Sequence, residues 1–104
     1  MVSGDYAFAA GHYAQANHDS TFVWNDDFSS FASTNSNQFL IHATNGVGIN
    51  TNAPTEALDV SGNVRVRGLA SPVLSNDNYV IVPDTDYTLR RMTFANLMSG
   101  NGYR

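Results

Sequence analysis

The sequence contains no cysteine and no lysine, and its bulky aliphatic side chains are few. The first absence excludes disulfides, thiolate metal ligands and a cysteine nucleophile. The second leaves Arg65, Arg67, Arg90, Arg91 and Arg104 as the only side chains with a permanent positive charge, so residues 1–64 carry carboxylates alone. A chain of net charge −4 built this way has no basic footprint for nucleic acid and no attraction to an anionic membrane surface. No run of 18 apolar residues exists, which excludes a helical membrane span. Met1-Val2-Ser3-Gly4 leads straight into polar sequence with no signal-peptide pattern, as expected of a fragment.

Leu, Ile and Val together are outnumbered by Ala and Asn. A domain of this size hides only about 60–70% of its unfolded-chain surface, so a self-sufficient core is lean. Small domains of that kind take support from a metal, a disulfide or partner subunits. With cysteine absent, oligomerisation is the expected support. Charged residues make up 13% of the chain, about half the usual share. Asn, Ser, Thr, Gly and Ala fill their place, a composition suited to tight corners and stacked rungs.

Three zones differ in texture. Residues 3–38 are rich in Ala, Ser, Asn and aromatics. Here Ala7-x-Ala9 and Ala14-x-Ala16 repeat at an offset of seven, with Gly11 between them. Alternation at two is a strand signal, and small inward residues imply a facing element that comes very close, as in a narrow parallel β-roll. An Ala-rich helix is the competing reading, against which Gly4, Gly11 and the alternating aromatics count. Thr21–Trp24 and Gln38–Ala43 read as strands, with Phe28–Asn37 a polar loop pinned by Phe28 and Phe31.

Residues 39–68 alternate with glycine turns. Asn45-Gly46 predicts a type I′ hairpin turn, Gly46–Asn50 a strand and Pro54 a break. Ala57–Val60 predicts another strand, Ser61–Asn63 a turn, and Val64–Arg67 a strand with Val64 and Val66 inward and both arginines toward water. Residues 69–104 hold a strand at Tyr79–Val82, a turn at Pro83–Asp86, a hairpin partner at Tyr87–Met92 and a short helix from Thr93, its N-cap, to a stop at Gly100.

Two stretches resemble known families. Gly4-Asp-Tyr-Ala7-Phe-Ala9-Ala-Gly11-His-Tyr-Ala14-Gln-Ala16 resembles the head repeat of trimeric autotransporter adhesins, which implies a trimer of left-handed parallel β-rolls. Only about one repeat is present. Gly46-Val-Gly-Ile-Asn-Thr-Asn-Ala-Pro-Thr-Glu-Ala-Leu-Asp-Val-Ser-Gly-Asn-Val-Arg-Val-Arg-Gly68 resembles a motif of phage tail fibres and related bacterial surface proteins. In that family it precedes an endosialidase-type intramolecular chaperone domain, which has no counterpart here, so no catalytic residue carries over. The resemblance implies a homotrimeric fibre wrapped around a common axis. More loosely, residues 77–98 look like strand–turn–strand–helix modules of phage fibre and tail proteins.

Candidate chemistry is weak beside these patterns. Asp26-Asp27 and Asp84/Asp86 are paired carboxylates in turn contexts, where Asp serves local hydrogen bonding. His12, His18 and His42 lack metal-ligand spacing, although His42 repeated around a threefold axis makes a three-histidine ion site conceivable. Gly46-x-Gly48 lacks the third glycine of a dinucleotide fingerprint. Arg90 or Arg91 is expected to pair with Asp84 or Asp86 across the hairpin. Tyr6, Phe8, Tyr13, Phe22, Trp24, Phe28 and Phe31 form an aromatic-rich set that serves either as intersubunit core or, if exposed, as a stacking surface for sugars.

The expected fold is mainly β. It is an intertwined homotrimeric fibre with a β-roll-like part (3–38), a β-strand and hairpin middle (39–68) and a β-hairpin plus short helix module (69–104). The expected role is a non-enzymatic connector or shaft segment of a viral tail fibre or surface fibre, on the virion or at the cell surface. The alternative is a receptor- or glycan-binding adhesive module of the same trimer. Expected partners are further copies of the chain, neighbouring fibre domains and a host glycan or receptor, without nucleic acid or membrane insertion. No catalytic, cofactor or metal residue is assigned.

Overall fold

A computed structural model describes residues 1–70 and 79–99. The chain divides into two compact units, residues 1–63 and 64–104. It is mainly β, with one short helix among the described residues, and its first unit is a solenoid-like stack of parallel strands.

In the first unit β1 (Phe8–Gly11), β3 (Phe22–Asn25) and β5 (Phe39–His42) form one parallel sheet in the order β1-β3-β5. Phe8 pairs with Phe22, 14 residues on, and Phe22 with Phe39, 17 residues on. Facing this sheet, β2 (Ala14–Gln15) pairs in parallel with β4 (Phe31–Ala32), and Val2 bridges to Ala16. Each rung therefore runs out along one sheet and back along the other. The offset of seven between the Ala-x-Ala pairs is half of a 14-residue coil. The second rung is longer by three residues, all placed in the corner between β3 and β4. The loop read as polar thus contains β4, whose Phe31 turns into the core while Phe28 stays exposed.

The small inward residues do what their spacing predicts. Ala14, Ala16 and Val23 are buried, and Ala7, Ala9, Phe31 and Leu40 pack against them. Val23 is the largest fully buried apolar side chain, and burying one such side chain contributes about 2 kcal/mol. The interior is lean because alanines let the two sheets come close. Corners repeat as strictly as strands. Tyr6, Ser20 and Asn37, two residues before the three stacked phenylalanines, all take positive φ near 60° (57°, 57° and 65°). Ser20 N donates to Asp5 O and Asn37 N to Asp19 O, so each corner hangs on the one above.

The middle stretch departs from the hairpin reading. Gly46 N does close a tight turn on Ala43 O at 2.9 Å, but β6 (Val47–Ile49) is not the antiparallel partner of β5. It pairs in parallel with β7 (Leu58–Val60), in the register Val47↔Leu58 and Ile49↔Val60. A Cβ on Gly46 would collide with the Glu56 carbonyl oxygen, so the glycine serves the close passage of this coil. Asp59 accepts from Thr55 N at 3.0 Å and ties the connecting loop, which contains Pro54, to β7.

In the second unit, Val64–Arg67 is not a strand. Val64 and Val66 are 68% and 59% exposed, and no layer among the described residues faces them. Further on, β8 (Tyr79–Pro83) and β9 (Leu89–Thr93) form the antiparallel hairpin that the sequence suggests, followed by α1 (Phe94–Ser99). Asn96 N donates to Thr93 Oγ1 at 3.2 Å, the expected cap. Gly100, expected as the helix stop, lies outside the described residues, as do Asp77 and Asn78.

Candidate functional site

The largest unexplained feature of the first unit is the outer face of the β1-β3-β5 sheet. Strand alternation sends Ala9, Val23 and Leu40 inward, and the residues on either side outward. Parallel, in-register pairing then stacks like on like. Phe8, Phe22 and Phe39 form a ladder with ring centroids 4.9 and 4.4 Å apart and planes inclined by only 11° and 7°. Beside it runs a second column, Ala10, Trp24 and Ile41. Trp24 and Ile41 remain about two-fifths exposed (39% and 41%), and Phe39 is 69% exposed. No charged side chain stands in either column. An open groove of about 370 Å³ follows the ladder, lined on its other side by Tyr6, Ser20, Asn37 and Gln38.

Carboxylates flank this face at both ends of its strands. Asp5 and Asp19 precede β1 and β3, and Asp26 and Asp27 follow β3. The pair Asp26-Asp27 is separated by its bonding. Asp26 accepts from Thr44 N at 2.8 Å and Thr44 Oγ1 at 2.8 Å, while Asp27 accepts from Phe28 N at 2.7 Å and Ser29 Oγ at 2.8 Å. Those bonds hold both carboxyls below the usual carboxylate range, the Thr44 hydroxyl first for Asp26 and the Ser29 hydroxyl first for Asp27. Their stabilising effect is present above the ordinary carboxylate pKa and is lost as pH falls through the lowered folded values. Thr44→Val removes the hydroxyl and keeps the amide, so the Asp26 carboxyl pKa, followed by NMR titration, is expected to rise part of the way back. No change would contradict the assignment.

The histidines do not converge. His12 lies tilted against Tyr13 at 38° and meets Phe28 edge-on at a centroid distance of 4.9 Å. His42 points inward, away from the apolar columns, with Nδ1 2.8 Å from Asn25 Oδ1. The Asn25 amide nitrogen faces the carbonyls of His12 and Ser29, so its oxygen accepts and His42 Nδ1 carries the proton. His18 shows the opposite tautomer. Ser33 Oγ accepts from Asn17 N and His18 N, so its proton goes to His18 Nδ1 at 2.8 Å. Although Ser33 and His18 have the composition of a nucleophile and its base, this hydroxyl is buried and its lone pairs are occupied by the two amides. The pair clamps a corner. Ser33→Ala is expected to cost about 2 kcal/mol by orphaning those amides, read as a lower melting midpoint; an unchanged midpoint would rule out the clamp.

In the second unit Arg90 Nε donates to Asp84 Oδ2 at 2.6 Å across the hairpin turn. Asp86 is held down to about 2, first by the neighbouring Asp84 side chain and then by the Thr88 amide, which donates to it at 3.0 Å. Both carboxylates therefore serve turn geometry. Among the described residues, no group of three or more His, Asp or Glu side chains converges on a common point suited to a metal ion. No family model, curated protein or solved structure matches the chain.

Phe39 and Ile41 complete the two outer columns, and sequence reasoning had not joined them to the aromatic set. The available signal was local composition: positions 8, 22 and 39 all hold Phe, and each opens a run of three apolar or small residues.

Proposed function

We propose that this chain is a structural segment of a homotrimeric fibre, a connector or shaft piece of a viral tail fibre or surface fibre. The observation that carries the reading is the pairing of a lean interior with an uncharged apolar outer sheet face. Most of the large aromatic side chains stand outside the solenoid, while alanines with Val23, Phe31 and Leu40 fill it. A stack of rungs also transmits geometry along one axis, because each rung contacts only its neighbours. The resemblance of residues 4–16 and 46–68 to trimeric adhesin heads and tail-fibre motifs points the same way. The test is the mass of the full chain in solution by sedimentation equilibrium, with melting scans across protein concentration. A threefold mass and a midpoint that rises with concentration are expected; a stable monomer would sink the reading.

One observation favours an adhesive role for the same trimer. Tyr6 is 94% exposed beside the groove, next to the hydroxyl and amides of Ser20, Asn37 and Gln38. Its ring is open to a sugar face, whereas that of Phe22 is covered on both sides by Phe8 and Phe39. Binding on a glycan array that disappears in Tyr6→Ala would establish it.

A further inference from the structure

The first side chain with a permanent positive charge is Arg65, two residues past the end of the first unit at Asn63, and Arg67 follows it. No Lys or Arg stands anywhere in residues 1–64. We infer that residues 64–68 are a cleavage site for an arginine-specific endopeptidase, at which the first unit is released whole. This goes beyond the proposed fibre role and does not depend on it.

An endopeptidase draws several residues of its substrate into its active site. Those residues must be exposed and outside any hydrogen-bonded ladder, or the fold must open before the bond is reached. Residues 64–68 meet both conditions. Every residue from 61 to 70 is exposed, and none belongs to a strand or helix. Among the described residues, no hydrogen bond or ion pair holds residues 64–68. Space is open at the scissile position too, since nothing lies within 4 Å of a Cβ built on Gly68. The chemistry selects one class of enzyme. An arginine before the scissile bond is recognised by a specificity pocket that ends in a carboxylate. Water adds across Arg65–Val66 or Arg67–Gly68 and the C–N bond breaks. A carboxylate is left on the arginine and an amine on the residue after it.

The arginines of the hairpin differ. Arg90 and Arg91 lie in β9, paired with Val82 and Ile81 of β8, and Arg90 is also tied to Asp84. Cleavage after either requires the hairpin to open. The first unit is protected twice over. Its backbone is bonded rung to rung, and it offers this enzyme no bond to cut even when unfolded. Digestion therefore stops just beyond the unit boundary.

Limited digestion of the full chain with trypsin, followed by intact-mass spectrometry, tests this. The first products expected are residues 1–65 and 1–67, which should persist with the far-UV circular dichroism of a β fold. In the folded chain, cleavage after Arg65 or Arg67 should run at least about tenfold faster than after Arg90 or Arg91. That preference should disappear once the chain is unfolded. The double variant Arg65→Gln, Arg67→Gln should lose the early cut and keep the circular dichroism of the parent. A first cut after Arg90 or Arg91, or a folded chain left intact while the unfolded chain is digested, would overturn the inference. So would a released 1–65 or 1–67 fragment that has lost its β signal, because the first unit would then not leave whole.

Discussion

Replacing Asn25 by alanine is expected to lower the stability of the first unit by about 3 kcal/mol, since a buried carbonyl that loses its donor costs about 1–3 kcal/mol. Asn25 is completely buried at the corner where the second rung carries its three extra residues. Its amide nitrogen donates to His12 O at 2.7 Å, Ser29 O at 2.8 Å and, at longer range, Asp27 O. Its oxygen accepts from His42 Nδ1 at 2.8 Å and Asp27 N at 3.3 Å. One side chain thus ties three successive rungs and the loop 26–30 to a single point. Alanine would leave the His12 and Ser29 carbonyls without their donor and His42 without its acceptor. The expected fall in melting midpoint is roughly 10–20 °C for a chain of this size, compared at equal protein concentration because assembly shifts the midpoint. His42→Ala removes one of these bonds and should cost about 1 kcal/mol. Equal midpoints for the two variants would show that the amide is not the organising group.

Asn25 also marks the limit of what could be read from the sequence. Ala7, Ala9, Ala14 and Ala16 announce close-packed strands because period-two spacing is local and alanine at every inward position has one plain cause. The cap at Thr93 and the Arg90–Asp84 pair were legible for the same reason, since both partners lie within a few residues. Strand partners were not. In a parallel stack a residue meets its partner a full coil away, and the coil here is first 14 and then 17 residues long. The corner insertion breaks the repeat that would have revealed Phe8, Phe22 and Phe39 as one column. Asn45-Gly46 misled for a related reason. Its backbone preference sets a tight turn, which the structure has, but a turn fixes the direction of the chain only where the following strand finds its partner in the preceding one. Here Val47–Ile49 is claimed by Leu58–Val60. Val64 and Val66 show the converse, a faultless alternation with no layer among the described residues to face. Of the candidate site, the aromatics were visible as a set, but their exposure and their stacking into edge-out columns follow from pairing alone.

Gly11→Ala should be among the most damaging single-methyl changes in the first unit. Gly11 ends β1 at φ +93°, where an L side chain is strained, and a Cβ there would be driven into the Asn25 carbonyl oxygen of the next rung. That oxygen cannot retreat without loss, because it accepts from His12 N at 2.6 Å, and this bond holds the first two rungs together at the corner. Strain and collision therefore act together, and a loss on the order of 4 kcal/mol is expected, at the upper end for single substitutions. Gly62→Ala separates the two causes. Gly62 also has positive φ, at +149°, but nothing lies within 4 Å of its would-be Cβ, so only backbone strain of about 1–3 kcal/mol applies. Gly11→Ala should lose the cooperative melting of the first unit under conditions where Gly62→Ala keeps it. The inner column Gly11, Asn25, His42 would then be explained rung by rung. The first position must be empty to let the second rung approach, the second carries the amide that binds its neighbours, and the third supplies the proton that the amide oxygen accepts. If Gly11→Ala melts like Gly62→Ala, the rungs are not held at the closeness the structure gives them, and the solenoid of the first unit would have to be looser than its hydrogen bonds require.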